Sequence, residues 1–113
     1  MTIKDDNYSI DYDAATATVY LRGVLRLNPE EYVPIVQLLE QVITLEPPLL
    51  TINLRELDFL NSSGFTTLAR FVTKVNTKKT IQLQMQASSQ NPWHQKSLNN
   101  FKRLMPQLQL EFI

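Results

Sequence analysis

The sequence predicts a single α/β domain of two layers, a mixed and mainly parallel sheet with its helices on one face. Two observations lead there. Strand-like and helix-like segments take turns along most of the chain, the pattern of crossover connections. Each strand-like segment also alternates apolar with polar residues. A sheet covered on both faces would instead have strands that are apolar throughout, so one face is expected to stay open. The predicted order is β-β-α-β-α-β-α-β within residues 1–113, with Met1 to Asp6 as a short polar tail.

Tyr8, Ile10 and Tyr12 alternate with Ser9, Asp11 and Asp13, and Val19 and Leu21 alternate with Thr18, Tyr20 and Arg22. This reads as a hairpin turning at Asp13-Ala14-Ala15. After Gly23, Asn28 suits an N-cap, with Pro29 at the first helical position and Glu31 three residues after the cap. Val33, Val36, Leu39 and Ile43 continue a helical face up to Leu45. Pro34 lacks a backbone donor, so the regular helix either runs from Pro29 or begins at Pro34, and Pro47-Pro48 ends it. Leu50, Ile52 and Leu54 mark a third strand over Leu49 to Arg55, followed by a loop to Asn61. Phe65, Leu68, Phe71, Val72 and Val75 give a helix from Ser63 to Asn76. Ile81, Leu83 and Met85 alternate with glutamines in a fourth strand, and Leu108, Leu110 and Phe112 mark the last. Between them, Asn91-Pro92 opens a helix bearing Leu98, Phe101, Leu104 and Met105.

Composition excludes several kinds of function. No apolar run approaches the roughly 20 residues of a membrane-spanning helix. Asp5 and Asp6 stand where a signal peptide would be basic and then apolar, so a cytoplasmic protein is expected. With no cysteine and the single His94, neither a disulfide nor a Cys/His metal centre can be built, and no metal or cofactor is expected. Eleven basic and eleven acidic residues balance to zero, without a basic cluster, which argues against nucleic acid as a partner. A serine hydrolase elbow needs glycine on both sides of the nucleophile and a base beside it. Here Asn61 precedes the serines, so no catalytic residue is assigned.

The segment that carries most information is Phe59-Leu60-Asn61-Ser62-Ser63-Gly64-Phe65. It holds one of only two glycines, at the junction of an apolar run and a helical pattern. Leu57 to Leu60 is apolar apart from Asp58, as in a loop anchored from below that presents the serines outward. Two readings follow from the residues. Ser-Ser-Gly is a good capping arrangement. Alternatively, a free hydroxyl beside unpaired helix N–H groups and the positive end of the helix dipole is a place to receive phosphate.

The run from Ile52 through Asn53, Asp58, Asn61, Ser62 and Ser63 to Gly64 resembles the signature of STAS domains, which include bacterial anti-sigma-factor antagonists. The resemblance extends from Tyr8 to Phe112, since the leading hairpin, Gly23 and the element order also fit. It implies a non-enzymatic signal-transduction phosphoprotein that regulates transcription by partner switching. A GHKL-type serine kinase, which is also the anti-sigma factor, would phosphorylate Ser62 (Ser63 being the alternative acceptor) and a PP2C-type phosphatase would reverse it. Unphosphorylated, the protein would bind that kinase. Ser63 would act as cap, Asn61, Gly64 and Asp58 would flank the acceptor, and Arg26 would approach the start of the second helix, where it could pair with a phosphate on Ser62. Asn53 and Asn61 stand where the family usually has aspartate, and Gln86 to His94 is similar to a cyanobacterial subgroup of small STAS-like regulators. The alternative function is a constitutive STAS adaptor that is not phosphorylated. Trp93 reads as a packing residue closing the third helix or as a partner-facing anchor, His94 as a solvated first-turn residue, and Lys78-Lys79 as a solvated turn.

Overall fold

Side chains alternate across a strand, so period-two segments sort their residues onto two faces of a sheet. In a computed structural model that describes residues 1–113, seven segments form the strands of one sheet. They are β1 (Thr2–Lys4), β2 (Tyr8–Asp13), β3 (Thr18–Leu25), β4 (Leu49–Asn53), β5 (Leu57–Leu60), β6 (Gln82–Ala87) and β7 (Gln109–Phe112). The sheet order is β1-β2-β3-β4-β6-β7, with β5 paired to β3. The pairs β1–β2 and β2–β3 are antiparallel, and β3–β4, β3–β5, β4–β6 and β6–β7 are parallel.

Ile10, Leu21, Ile52, Leu83 and Met85 are buried under helices α1 (Val33–Leu45), α2 (Ser62–Lys78), α3 (Pro92–Ser97) and α4 (Phe101–Leu104). Leu39, Val42, Leu68, Val72 and Phe101 are their buried counterparts in the helical layer. Gln82, Gln109 and Glu111 are exposed on the other face, and Tyr20, Asn53 and Gln84 are partly so. The one-sided α/β sheet expected from the alternation is the sheet found. No helix is long and apolar enough to cross a membrane.

The structure corrects the sequence reading in several places. The expected N-terminal tail supplies β1, which pairs with β2 from Thr2↔Asp11 to Lys4↔Ser9, a segment too short and polar to show a period. The hairpin turn lies at Ala14–Ala17, and β3 runs on through Gly23 to Leu25. Pro29–Tyr32 form a 3-10 turn, in which the Asn28 amide donates to Glu31 Oε1 at 2.9 Å, and the regular helix starts at Val33. Because Pro34 is then in the first turn, its missing N–H costs nothing. The third helix is broken into α3, a 3-10 turn and α4, and Leu104 is 38% exposed, not part of its apolar face. Lys78 ends α2 in an ion pair with Glu46, and Lys79 caps it in the left-handed region at φ 65°.

The expected loop from Leu57 to Leu60 contains β5. Leu57 lies opposite Gly23 and Phe59 opposite Val24, so Asp58 is an extra residue in a bulge. The bulge breaks the alternation into buried, exposed, exposed, buried, which hides the strand from a period-two test. Gly23 permits the irregularity from the other side. Its φ is 91°, and a Cβ there would collide with the Asn7 carbonyl.

Candidate functional site

β3 and β5 end side by side, with Leu25 opposite Leu60 and the Asn61 amide donating to the Leu25 carbonyl at 3.0 Å. Asn61 keeps extended backbone, φ −79° and ψ 177°, and the chain turns into α2 at the next residue. Its Oδ1 accepts the Gly64 amide at 3.0 Å, so Asn61, not Ser63, is the N-cap of α2. The same oxygen accepts the Tyr32 hydroxyl at 2.6 Å, while Nδ2 donates to the Leu27 carbonyl at 2.8 Å. One side chain thus ties together the end of β3, the turn before α1 and the first turn of α2. Burial raises the Tyr32 phenol above its ordinary range, which keeps it a neutral donor.

Ser62 is released by this arrangement. It is the first helical residue, exposed, and not needed as a cap. Ser63 is partly buried, and its carbonyl accepts the Thr67 hydroxyl at 2.9 Å. Gly64 is buried where a Cβ would lie 2.7 Å from Tyr32 Oη and would collide with Leu60 Cδ1. Its role is close approach, not unusual backbone.

Asp58 and Phe59 are exposed beside this rim, and the Arg26 guanidinium lies 4.7 Å from the centre of the Phe59 ring. Arg26 therefore sits at the α2 end of the sheet, stacked on an aromatic face and without a carboxylate partner. Asn53 belongs elsewhere. It accepts the Arg55 amide at 3.0 Å and donates to Gln86 at 3.4 Å, in a shallow depression of the open sheet face lined by Tyr20 and Arg22.

Two residues of α3 hold the segment that leads into the site. Trp93 Nε1 donates to the Asp58 carbonyl at 2.8 Å, and its ring meets Phe65 edge-on at 5.8 Å, which supports the packing role. His94 is not solvated. It is fully buried, with Nδ1 accepting the Ser88 amide at 2.9 Å and Nε2 2.9 Å from the Leu57 carbonyl. An amide can only donate and a carbonyl only accept, so the proton must be on Nε2 and the ring neutral. Burial pushes its pKa below the ordinary histidine value, against weaker opposite effects of the Leu57 bond and the Asp58 charge. Sequence reasoning missed Tyr32 and the inward direction of His94. The only trace of either is position, Tyr32 just after a capping turn and His94 just after Asn91-Pro92.

No protein-family model matches the chain, and no curated protein does. Solved structures do. SiaC from Pseudomonas aeruginosa, an activator seen in complex with the diguanylate cyclase SiaD, matches with a TM-score of 0.74 at 12% sequence identity, covering 100% of this chain and 99% of that one. An anti-sigma factor antagonist from Mycobacterium paratuberculosis matches with a TM-score of 0.60 at 23% identity, covering 96% of this chain and 82% of that one. The fold is of the STAS type. The likeness spans nearly the whole chain. At these identities it concerns the fold alone, and the rim described above rests on this chain's own residues.

Proposed function

We propose that this protein is a non-enzymatic, cytoplasmic regulatory switch that binds a protein partner through the rim around Ser62 and loses that partner when Ser62 is phosphorylated. The observation that carries the reading is the division of labour between Asn61 and Ser62. Asn61 caps α2, so the Ser62 hydroxyl stands exposed at a helix N-terminus with no structural task. A phosphate there is tolerated by the helix dipole, yet at an interface its charge of about −2 would have to be desolvated. In this reading the acceptor is Ser62 rather than Ser63, a GHKL-type kinase adds the phosphate and is the bound anti-sigma partner, and a PP2C-type phosphatase removes it.

A second reading concerns the partner. SiaC, which shares the fold, is an activator seen in complex with an enzyme, and on that analogy the partner would be an enzyme that this protein activates. A constitutive adaptor remains the alternative to both. The test is to express the chain in its native host, locate phosphate by mass spectrometry, and recover partners with wild type, Ser62→Ala and Ser62→Glu. The switch reading expects phosphate on Ser62, retention of the partner by Ser62→Ala and its loss by Ser62→Glu. Equal recovery by all three, with no phosphate on Ser62, would establish the adaptor instead. The identity of the recovered protein, kinase or other enzyme, decides between the first two.

A further inference from the structure

We propose that the protein forms a reversible dimer in which strand β7 of one copy pairs antiparallel with β7 of a second, about a two-fold axis at Leu110. This goes beyond the reading of Ser62 and does not depend on it. β7 is an edge of the sheet, bonded on one side to β6. The Ile113 amide donates to the Ala87 carbonyl at 2.9 Å, and the Ile113 carbonyl accepts the Ser89 amide at 3.0 Å. Bonding sides alternate along an edge strand, so Gln109 and Glu111 also turn their backbone groups towards β6. Leu110 and Phe112 therefore hold N–H and C=O outward, and the Leu108 carbonyl is next in that row. The Leu108 amide is already engaged, donating to the Met105 carbonyl at 2.9 Å. Such a row is a template for a further strand.

Self-complementarity makes that strand a second β7. Outward groups meet outward groups only where the two-fold axis passes through a residue. An axis at Glu111 sets the two Glu111 carboxylates directly opposite each other, a destabilising like-charge pair. An axis at Gln109 leaves Phe112 facing Pro106, outside the strand. An axis at Leu110 uses every outward N–H: the two Leu110 residues bond to each other, and each Phe112 amide reaches the Leu108 carbonyl of the other copy. It also sets Gln109 opposite Glu111 of the other copy, an amide facing a carboxylate on the open face. On the helix side, Leu110 and Phe112 pack against the margin of the core but are only partly buried, and the added strand covers them with Leu110 and Leu108. The opposite edge differs. Met1 and Asp5 bond to β2, so the outward residues of β1 are Thr2 and Lys4, and Asp5 and Asp6 follow, charges of the kind that keep an edge unpaired. Because β3, β4, β6 and β7 run parallel, the two-fold axis sends the two Ser62 rims to opposite ends of the joined sheet. Both rims stay free, and the dimer offers two partner sites at once.

The contact is short, which places the dimer in the weak class, so sedimentation of the full chain is run from about 1 μM to about 1 mM. Expected is a monomer–dimer equilibrium that Gln109→Glu weakens about three- to tenfold, because the new carboxylate faces Glu111 of the other copy. Adding Glu111→Lys to that variant should restore the dimer, and Gln82→Glu on the adjacent strand should change nothing. All three positions are exposed, and circular dichroism checks that the variants are folded. The chain has no cysteine, which allows the register to be read directly. Under copper-catalysed air oxidation, Gln109→Cys mixed with Glu111→Cys should give a disulfide-linked pair, and either variant alone should not. A monomer over the whole range would overturn the proposal. So would a dimer indifferent to Gln109→Glu, which would lie on another surface, or Glu111→Cys linking to itself but not to Gln109→Cys.

Discussion

Tyr32 Oη donates to Asn61 Oδ1 at 2.6 Å, and through this bond the turn before α1 positions the residue that caps α2. A second bond of the same side chain distinguishes asparagine from aspartate at this position. A carboxylate could still accept from Tyr32 and Gly64, but it has no N–H for the Leu27 carbonyl, which Asn61 Nδ2 satisfies at 2.8 Å.

Removing either partner should therefore cost stability, and the two losses should not add. Tyr32→Phe is expected to lose about 0.5–1.5 kcal/mol, the net value of one hydrogen bond, and Asn61→Ala about 1–2 kcal/mol as a lost cap. The double variant should lose at least about 0.5 kcal/mol less than the sum, since both changes remove the same bond. Urea titrations of the four proteins measure the coupling, and strict additivity would show that the bond contributes nothing.

Gly64→Ala sets two effects against each other. Alanine is favoured over glycine inside a helix by about 1 kcal/mol. Its methyl group would nevertheless meet the Tyr32 hydroxyl and Leu60, and overpacking of this kind costs about 1–3 kcal/mol. Steric cost should prevail, so the variant is expected to melt below wild type. Combining it with Leu60→Ala should recover part of the methyl clash. A Gly64→Ala protein that melts above wild type would mean that Tyr32 and Leu60 yield freely.

Protonation of His94 should destabilise the fold at mildly acidic pH. Its native pKa lies below the ordinary value of about 6.5, so between the two the unfolded chain binds more protons than the native one. The stability this represents is fully present above about pH 6.5 and is lost as pH falls towards the native pKa. Charging the ring also puts a proton on Nδ1, facing the Ser88 amide that it accepts. Urea midpoints should fall from pH 7 to pH 5 in wild type and fall less in His94→Gln. Parallel pH profiles for the two would refute this.

Ser62→Glu should leave the fold intact. A carboxylate in the first turn of a helix is stabilising by about 0.3–1 kcal/mol, and no hydrogen bond of the cap involves the Ser62 hydroxyl. Its melting temperature should equal or slightly exceed that of wild type. A clear loss would show that Ser62 has a structural role.

Elements with an unbroken period were legible in the sequence. The alternation of Leu83 and Met85 with glutamines placed β6 and its buried face, and Leu68, Phe71, Val72 and Val75 placed the inner side of α2. The strand around Asp58 was not legible, because a bulge destroys the period by which strands are recognised. The strand-to-helix junction at Asn61-Ser62-Ser63-Gly64 was legible from residue type and spacing. Which of the three neighbours caps was not, since asparagine and serine are equally good caps and only tertiary contacts with Tyr32 and Leu27 decide between them. His94 was misread for a related reason. Its polar ring is satisfied by main-chain groups at Leu57 and Ser88 that are remote or irregular in sequence, and a linear pattern carries no trace of that.

The hold of Trp93 and His94 on the carbonyls of Asp58 and Leu57 ties the last quarter of the chain to the rim around Ser62. A helix that only packs on a sheet can drift in sequence so long as it stays apolar on its inner side. α3 cannot drift freely, because it supplies two ring N–H donors to the ledge on which Ser62 rests. Mutational tolerance along α3 should therefore track partner recognition more closely than its distance from Ser62 in the sequence would suggest, and a mutational scan scored on binding would register positions 93 and 94 alongside 61 and 62.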